Sequence, residues 1–149
     1  MKLLEDGMKN NIIKYIINEL NKHTECNIEE FNSKNNEKNF WGISKTFGKL
    51  TEYIVFLRES EFNSLDTKFI YNKNLDIILT TVLIVNEDND KCNWNVIAEN
   101  YKNNIIVISE KKNTVLYFSK NTVTLASQIQ YILENMKKSK SIKDKIFNS

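Results

Sequence analysis

Thr80-Thr81-Val82-Leu83-Ile84-Val85 and Asn104-Ile105-Ile106-Val107-Ile108-Ser109 decide the reading of the fold. Each stretch is almost continuously apolar, the pattern of a strand buried on both faces. Between them Trp94, Ile97, Ala98 and Tyr101 recur at helical spacing, with Asn93 placed to cap a short helix. Strand, helix and strand make one unit, and its crossover should be right-handed.

Upstream, Asn39 to Phe47 and Glu52 to Arg58 are rich in aromatic and β-branched residues. They flank Gly48-Lys49-Leu50-Thr51, which predicts a hairpin turn. The rings of Phe40, Trp41, Tyr53 and Phe56 are expected to alternate into the core, leaving Lys45, Lys49 and Arg58 on the wet side. The competing reading of the same residues is a stacking platform for single-stranded nucleic acid. Glu61 to Asp76 reads as a helix or an irregular crossover. Thr24 to Lys38, with Ile28 and Phe31 as its only apolar anchors, reads as a connecting loop with room for one short strand.

Helices close both ends of the pattern. Ile12, Ile13, Ile16, Ile17 and Leu20 form one apolar stripe, predicting a helix from about Met8 to Lys22 whose C-terminal end favours the cations Lys22 and His23. After a Lys111-Lys112-Asn113 turn and a strand at Thr114 to Phe118, Leu125, Ile129, Ile132, Leu133 and Met136 form a second stripe. That helix is expected to end near Met136. The expected fold is α/β, or α+β, with a mixed sheet of about five strands and helices packed on it. Residues 1–136 read as a single domain, and residues 137–149 as a basic tail with five lysines and one acid. Such a tail resembles the cytoplasmic flank of a membrane segment.

Composition narrows the function classes. A chain of 149 residues with 41% hydrophobic content can bury one substantial core. The net charge is only +2, and the tail supplies the excess, so the body is close to neutral. A dedicated nucleic-acid binder draws its affinity from neutralising phosphates and would be more basic. Cys26 and Cys92 lie far apart without metal-ligand spacing, which suits reduced cytosolic thiols. No run approaches the roughly 20 apolar residues that span a bilayer.

Catalytic patterns are sparse. His23 is the only histidine and is expected to be a solvated residue at a helix end. Gly42-Ile43-Ser44-Lys45 begins like a nucleophile elbow but lacks its second glycine, and three glycines in all provide no phosphate loop. Asn86-Glu87-Asp88-Asn89-Asp90 follows a buried strand, the crevice position where open α/β sheets place ligands. Glu87, Asp88 and Asp90 are the candidate metal ligands, suited to a hard divalent cation; no other cofactor is expected. The ordinary reading of this run is a solvated turn with acids at a helix N-terminus.

Two resemblances follow from these residues. The order of a helix, a three-strand meander, a helix and a further strand resembles the restriction-endonuclease-like nucleases. Glu52 followed by Asp66-Thr67-Lys68 can be set against their acid and acid-x-Lys pattern, although Glu110-Lys111-Lys112 is a second such triplet. The chain as a whole resembles the soluble N-terminal cytoplasmic domain of rhomboid-family intramembrane serine proteases of Gram-positive bacteria. That likeness runs through Ile12-Ile13-Lys14-Tyr15-Ile16, Phe40-Trp41, Tyr53-Ile54-Val55, Val82-Leu83-Ile84-Val85, the helix at Trp94 and Ile97, Ile105 to Ile108 and the basic tail. The family's Gly-x-Ser-Gly serine and membrane histidine have no counterpart here, so no catalytic residue carries over.

The rhomboid resemblance implies a non-catalytic accessory domain that senses, regulates or recruits. Its partners would be a membrane-embedded protease region and the inner membrane surface, where the lysines meet anionic lipid. Nucleic acid is not expected as a partner. A small metal-dependent nuclease and a free-standing protein-interaction module are the alternatives.

Overall fold

A computed structural model describes residues 11–34, 39–63, 65, 76–85, 94–101, 103–110, 114–119 and 124–147. Along the chain run α1 (Asn11–Asn21), β1 (Asn27–Asn32), β2 (Asn39–Phe47) and β3 (Leu50–Arg58), then a 3-10 turn (Glu59–Glu61). There follow β4 (Asp76–Val85), α2 (Trp94–Glu99), β5 (Asn104–Ser109), β6 (Thr114–Phe118) and α3 (Thr124–Phe147). The strands form one six-stranded sheet in sequence order, β1-β2-β3-β4-β5-β6. β1, β2 and β3 make an antiparallel meander; β3, β4 and β5 are parallel; β6 returns antiparallel to β5.

The continuously apolar strands occupy the middle of the sheet, and their side chains sort by alternation. Ile54, Phe56, Val82, Ile84, Ile106 and Ile108 face one core, which α1 and α3 cover with Ile16, Leu20, Leu125 and Ile129. Tyr53, Val55, Leu57, Leu83, Val85 and Val107 face the other, covered by Ala98 and Trp94 of α2 and by Leu65 and Phe62 of the β3–β4 crossover. The result is three layers. The described residues of both parallel connections pack on the same face, as two crossovers of one hand stepping the same way across a sheet must. The α/β class with a mixed sheet is therefore present, with six strands rather than about five.

Two local expectations need correction, and two open readings are resolved. The one short strand for which the segment 24–38 left room is present as the edge strand β1, whose partner β2 supplies the hydrogen bonds that its own composition does not advertise. The hairpin turn has two residues, not four: Leu50 and Thr51 already pair with Phe47 and Thr46. Gly48 there adopts φ +60°, the positive value a tight hairpin turn requires. Of the two readings of the β3–β4 crossover, its described residues take the irregular one: it opens with a 3-10 turn, and Leu65 bridges back to Ser33. Finally, α3 does not stop near Met136; it runs 24 residues, to Phe147.

The rings of the hairpin largely follow the core reading. Phe40, Tyr53 and Phe56 are buried, while Trp41 is half-buried. Tyr53 meets Phe31 edge to face at 6.1 Å between centroids. The Phe31 ring also lies over Gly42, where an added Cβ would fall 2.4 Å from the ring and 2.1 Å from the Ile54 carbonyl oxygen. Main chain on one side and a buried ring on the other leave nothing free to move. Gly42→Ala is expected to cost about 1–3 kcal/mol, the range of core overpacking. Gly48→Ala, whose Cβ would enter open space, should cost only the roughly 1–2 kcal/mol of a strained left-handed residue. Urea midpoints of the two variants check both values.

Candidate functional site

The alternation that sends Ile54 and Phe56 into the α1/α3 core also sends Glu52 there. Its side chain has no solvent exposure. Burying a carboxylate in such a place is costly unless it is hydrogen-bonded, and the partner is the start of α3. Oε1 of Glu52 accepts from the Leu125 backbone N–H at 2.8 Å, and Oε2 accepts from the Ala126 N–H at 3.1 Å. The first N–H groups of a helix have no intrahelical acceptor, and the helix dipole makes that end positive. A strand residue 73 positions away thus takes the part usually played by an N-cap.

Other reactive side chains gather at this end of the same face. Lys45 stands opposite Glu52 in the β2–β3 register. Its ammonium donates to the Thr24 hydroxyl and lies 5.7 Å from the centroid of the Phe47 ring. Cys26 is half-buried against the same core. Burial pushes its thiol above the ordinary range; Lys45 opposes that shift and Glu52 adds to it. The Thr80 hydroxyl, fully buried on β4 two register pairs along from Glu52, has no hydrogen-bond partner among the described residues. A raised thiol pKa keeps Cys26 protonated and disfavours it as a nucleophile. The Glu52 carboxyl is also raised: burial is the larger influence, and the Leu125 and Ala126 N–H bonds pull it back only in part.

The opposite face and the strand ends carry pairs rather than clusters. Ser44, nearly enclosed, donates to Glu29 at 2.6 Å. The Thr46 and Thr51 hydroxyls meet across the hairpin at 3.0 Å, and Thr81 meets the Tyr101 hydroxyl at 2.9 Å. At the C-terminal ends of the parallel strands, where a ligand crevice is expected, Arg58 faces Glu110 at 3.6 Å and its backbone N–H donates to Glu61 at 2.9 Å.

The candidates from the sequence are placed unevenly. Glu87, Asp88 and Asp90 lie outside the described residues, as do Asp66, Lys68 and Cys92. His23 is exposed just beyond α1, where its N–H closes the helix onto the Leu20 carbonyl. Among the described residues no group of three or more His, Cys, Asp or Glu side chains could hold a metal ion. None of the described helices is long and apolar enough to cross a membrane. The gathering of Cys26, Lys45 and Thr24 near Glu52 was not read from the sequence. Its one signal was a charge in the inward register of an otherwise apolar strand.

No protein-family model, curated protein or solved structure matches the chain.

The raised Glu52 pKa has a signed consequence for stability. A carboxyl that holds its proton more tightly when folded contributes stability fully present below its unfolded value, near 4.5. That contribution is lost as pH rises through the folded value. Glu52→Gln removes the titration. The urea stability of the wild type relative to Glu52→Gln is expected to fall as pH rises from about 4.5 toward neutrality. A difference that stays flat with pH would mean that Glu52 is not the group titrating.

Proposed function

We propose that this chain is a non-catalytic accessory domain of a rhomboid-family intramembrane serine protease, acting by regulating or recruiting rather than by chemistry of its own. The observation that carries the reading is the use made of Glu52. It is the one enclosed carboxylate among the described residues, and both of its oxygens are committed to the first turn of α3. A residue so occupied builds the attachment of a helix. That helix then continues into the lysine-rich stretch Lys137-Lys138-Ser139-Lys140 through Lys145. Anchoring such an element firmly to a three-layer body suits a domain that transmits position to a membrane-embedded protease region.

The nuclease alternative asks Glu52 for a different task. A carboxylate that binds a catalytic metal must present free lone pairs to the ion and to solvent-borne phosphate. Glu52 instead faces two backbone donors in an enclosed core. Purified protein supplied with Mg²⁺ or Mn²⁺ is therefore expected to leave double- and single-stranded DNA uncut.

The decisive test of the accessory reading is the genomic DNA beyond the codon for Ser149. The expected result is a reading frame that continues into several apolar segments carrying Gly-x-Ser-Gly and a later histidine. A stop codon at that point would overturn it.

A further inference from the structure

The two edges of the sheet are unlike. Among the described strands β6 pairs with β5 alone, so one row of its backbone N–H and C=O groups faces away from the sheet. The same is true of β1, but β1 carries Glu29 and the exposed Glu30 across its middle, charges of the kind that keep other strands off an edge. Thr114-Val115-Leu116-Tyr117-Phe118 has no charge and no proline, and each of its residues is only half-buried. Val115 and Phe118 lie partly against the α1/α3 core, and Leu116 and Tyr117 partly against the other. Apolar surface is left open on both sides of this edge.

Beside it lies a cavity of about 360 Å³, lined by the five residues of β6 and by Gln130, Leu133 and Glu134 of α3. Leu133 is buried and gives the helix side an apolar base. Glu134 is exposed and is the one charged residue of the lining. Its Oε1 accepts from Gln130 Nε2 at 3.1 Å, which orients the carboxylate without neutralising it. An edge strand next to a side-chain pocket is what strand addition requires: main-chain hydrogen bonds hold an extended peptide, and its alternate side chains fill the pocket. The lone acid calls for a cation on that peptide.

We propose that the groove between β6 and α3 binds a short extended peptide as an added strand, with apolar side chains in the cavity and a lysine or arginine beside Glu134. A second copy of the chain does not meet these terms. Two β6 strands paired antiparallel are related by a two-fold axis normal to the sheet, which brings both α3 helices to one face, each toward the cavity of the other. The register shift opposite Val107 and Ile108 also interrupts β6 midway, which suits a short segment better than a long regular edge. This peptide site goes beyond the accessory-domain reading and does not depend on it.

Amide chemical shifts of the isotope-labelled full chain, titrated with acetyl-Val-Thr-Val-Lys-Val-Thr-amide, test this. Shifts are expected at residues 114–118 and 130–134, with binding weakened by salt. Glu134→Gln should bind about threefold more weakly, with unchanged circular dichroism, and a peptide methylated on alternate backbone nitrogens should not bind. Absence of shifts at millimolar peptide, shifts confined to other surfaces, equal binding of the methylated peptide, or binding indifferent to Glu134→Gln overturns the proposal. So does concentration-dependent broadening of the same amides without peptide, which would assign the edge to a second copy. The result is separable from the gene-level test: a stop codon after Ser149 with peptide binding intact removes the protease and leaves the groove, whereas a continuing frame without binding does the reverse.

Discussion

The contact between the Glu52 carboxylate and the first turn of α3 is the constraint on which the rest of the structure turns. Leu125, Ala126, Ile129, Ile132 and Leu133 hold α3 on the sheet by apolar contact, and apolar contact alone lets a helix slide or rotate at modest cost. Two N–H bonds to a carboxylate fixed on a central strand allow one axial position and one rotation. The burial that makes the bonds strong also disfavours the charge, as the raised carboxyl pKa records. Charge burial and helix capping therefore act on the same group in opposite senses. A site of this kind confers geometry more than net stability.

The position of that contact follows from the sheet. β3 is the hinge between two pairing modes, antiparallel to β2 and parallel to β4. Its residues are buried nearly end to end because helices cover one face and the crossovers cover the other. A charged side chain on such a strand has no route to water, so its partner must come from a covering element. α3 supplies it by beginning directly over the start of β3. Lys45, on the neighbouring strand, solves the same problem differently: it lies nearer the edge, is only half-buried, and reaches Thr24 in the α1–β1 connection.

How much of this could be read from the chain depends on where each element's stabilising partner lies. β4 and β5 are legible because a strand buried on both faces must be apolar throughout, and α1 because its stripe carries five aliphatic residues in nine positions. β1 is legible only as room for one short strand, because an edge strand with Glu29 and Glu30 at its centre owes its conformation to pairing with β2 rather than to its own composition. The end of α3 is missed for a related reason: the apolar stripe marks where a helix packs, not where its hydrogen bonding stops. At the candidate site the inward register of Glu52 is visible in the alternation of β3. Its partners are not, since they are main-chain N–H groups 73 and 74 positions away that no side-chain pattern encodes.

The two halves of α3 answer to different surroundings. From Thr124 to Leu133 its inward residues are aliphatic, and the first turn is satisfied by a buried anion. Beyond Met136 the sequence at the same helical spacing turns to lysine, at Lys140 and Lys143. A helix that changes its preferred surroundings midway, without a glycine or proline to break it, keeps the two halves in fixed relation. The place of the basic turns along the helix is thereby tied to the sheet through Glu52, whose two hydrogen bonds set where the helix starts.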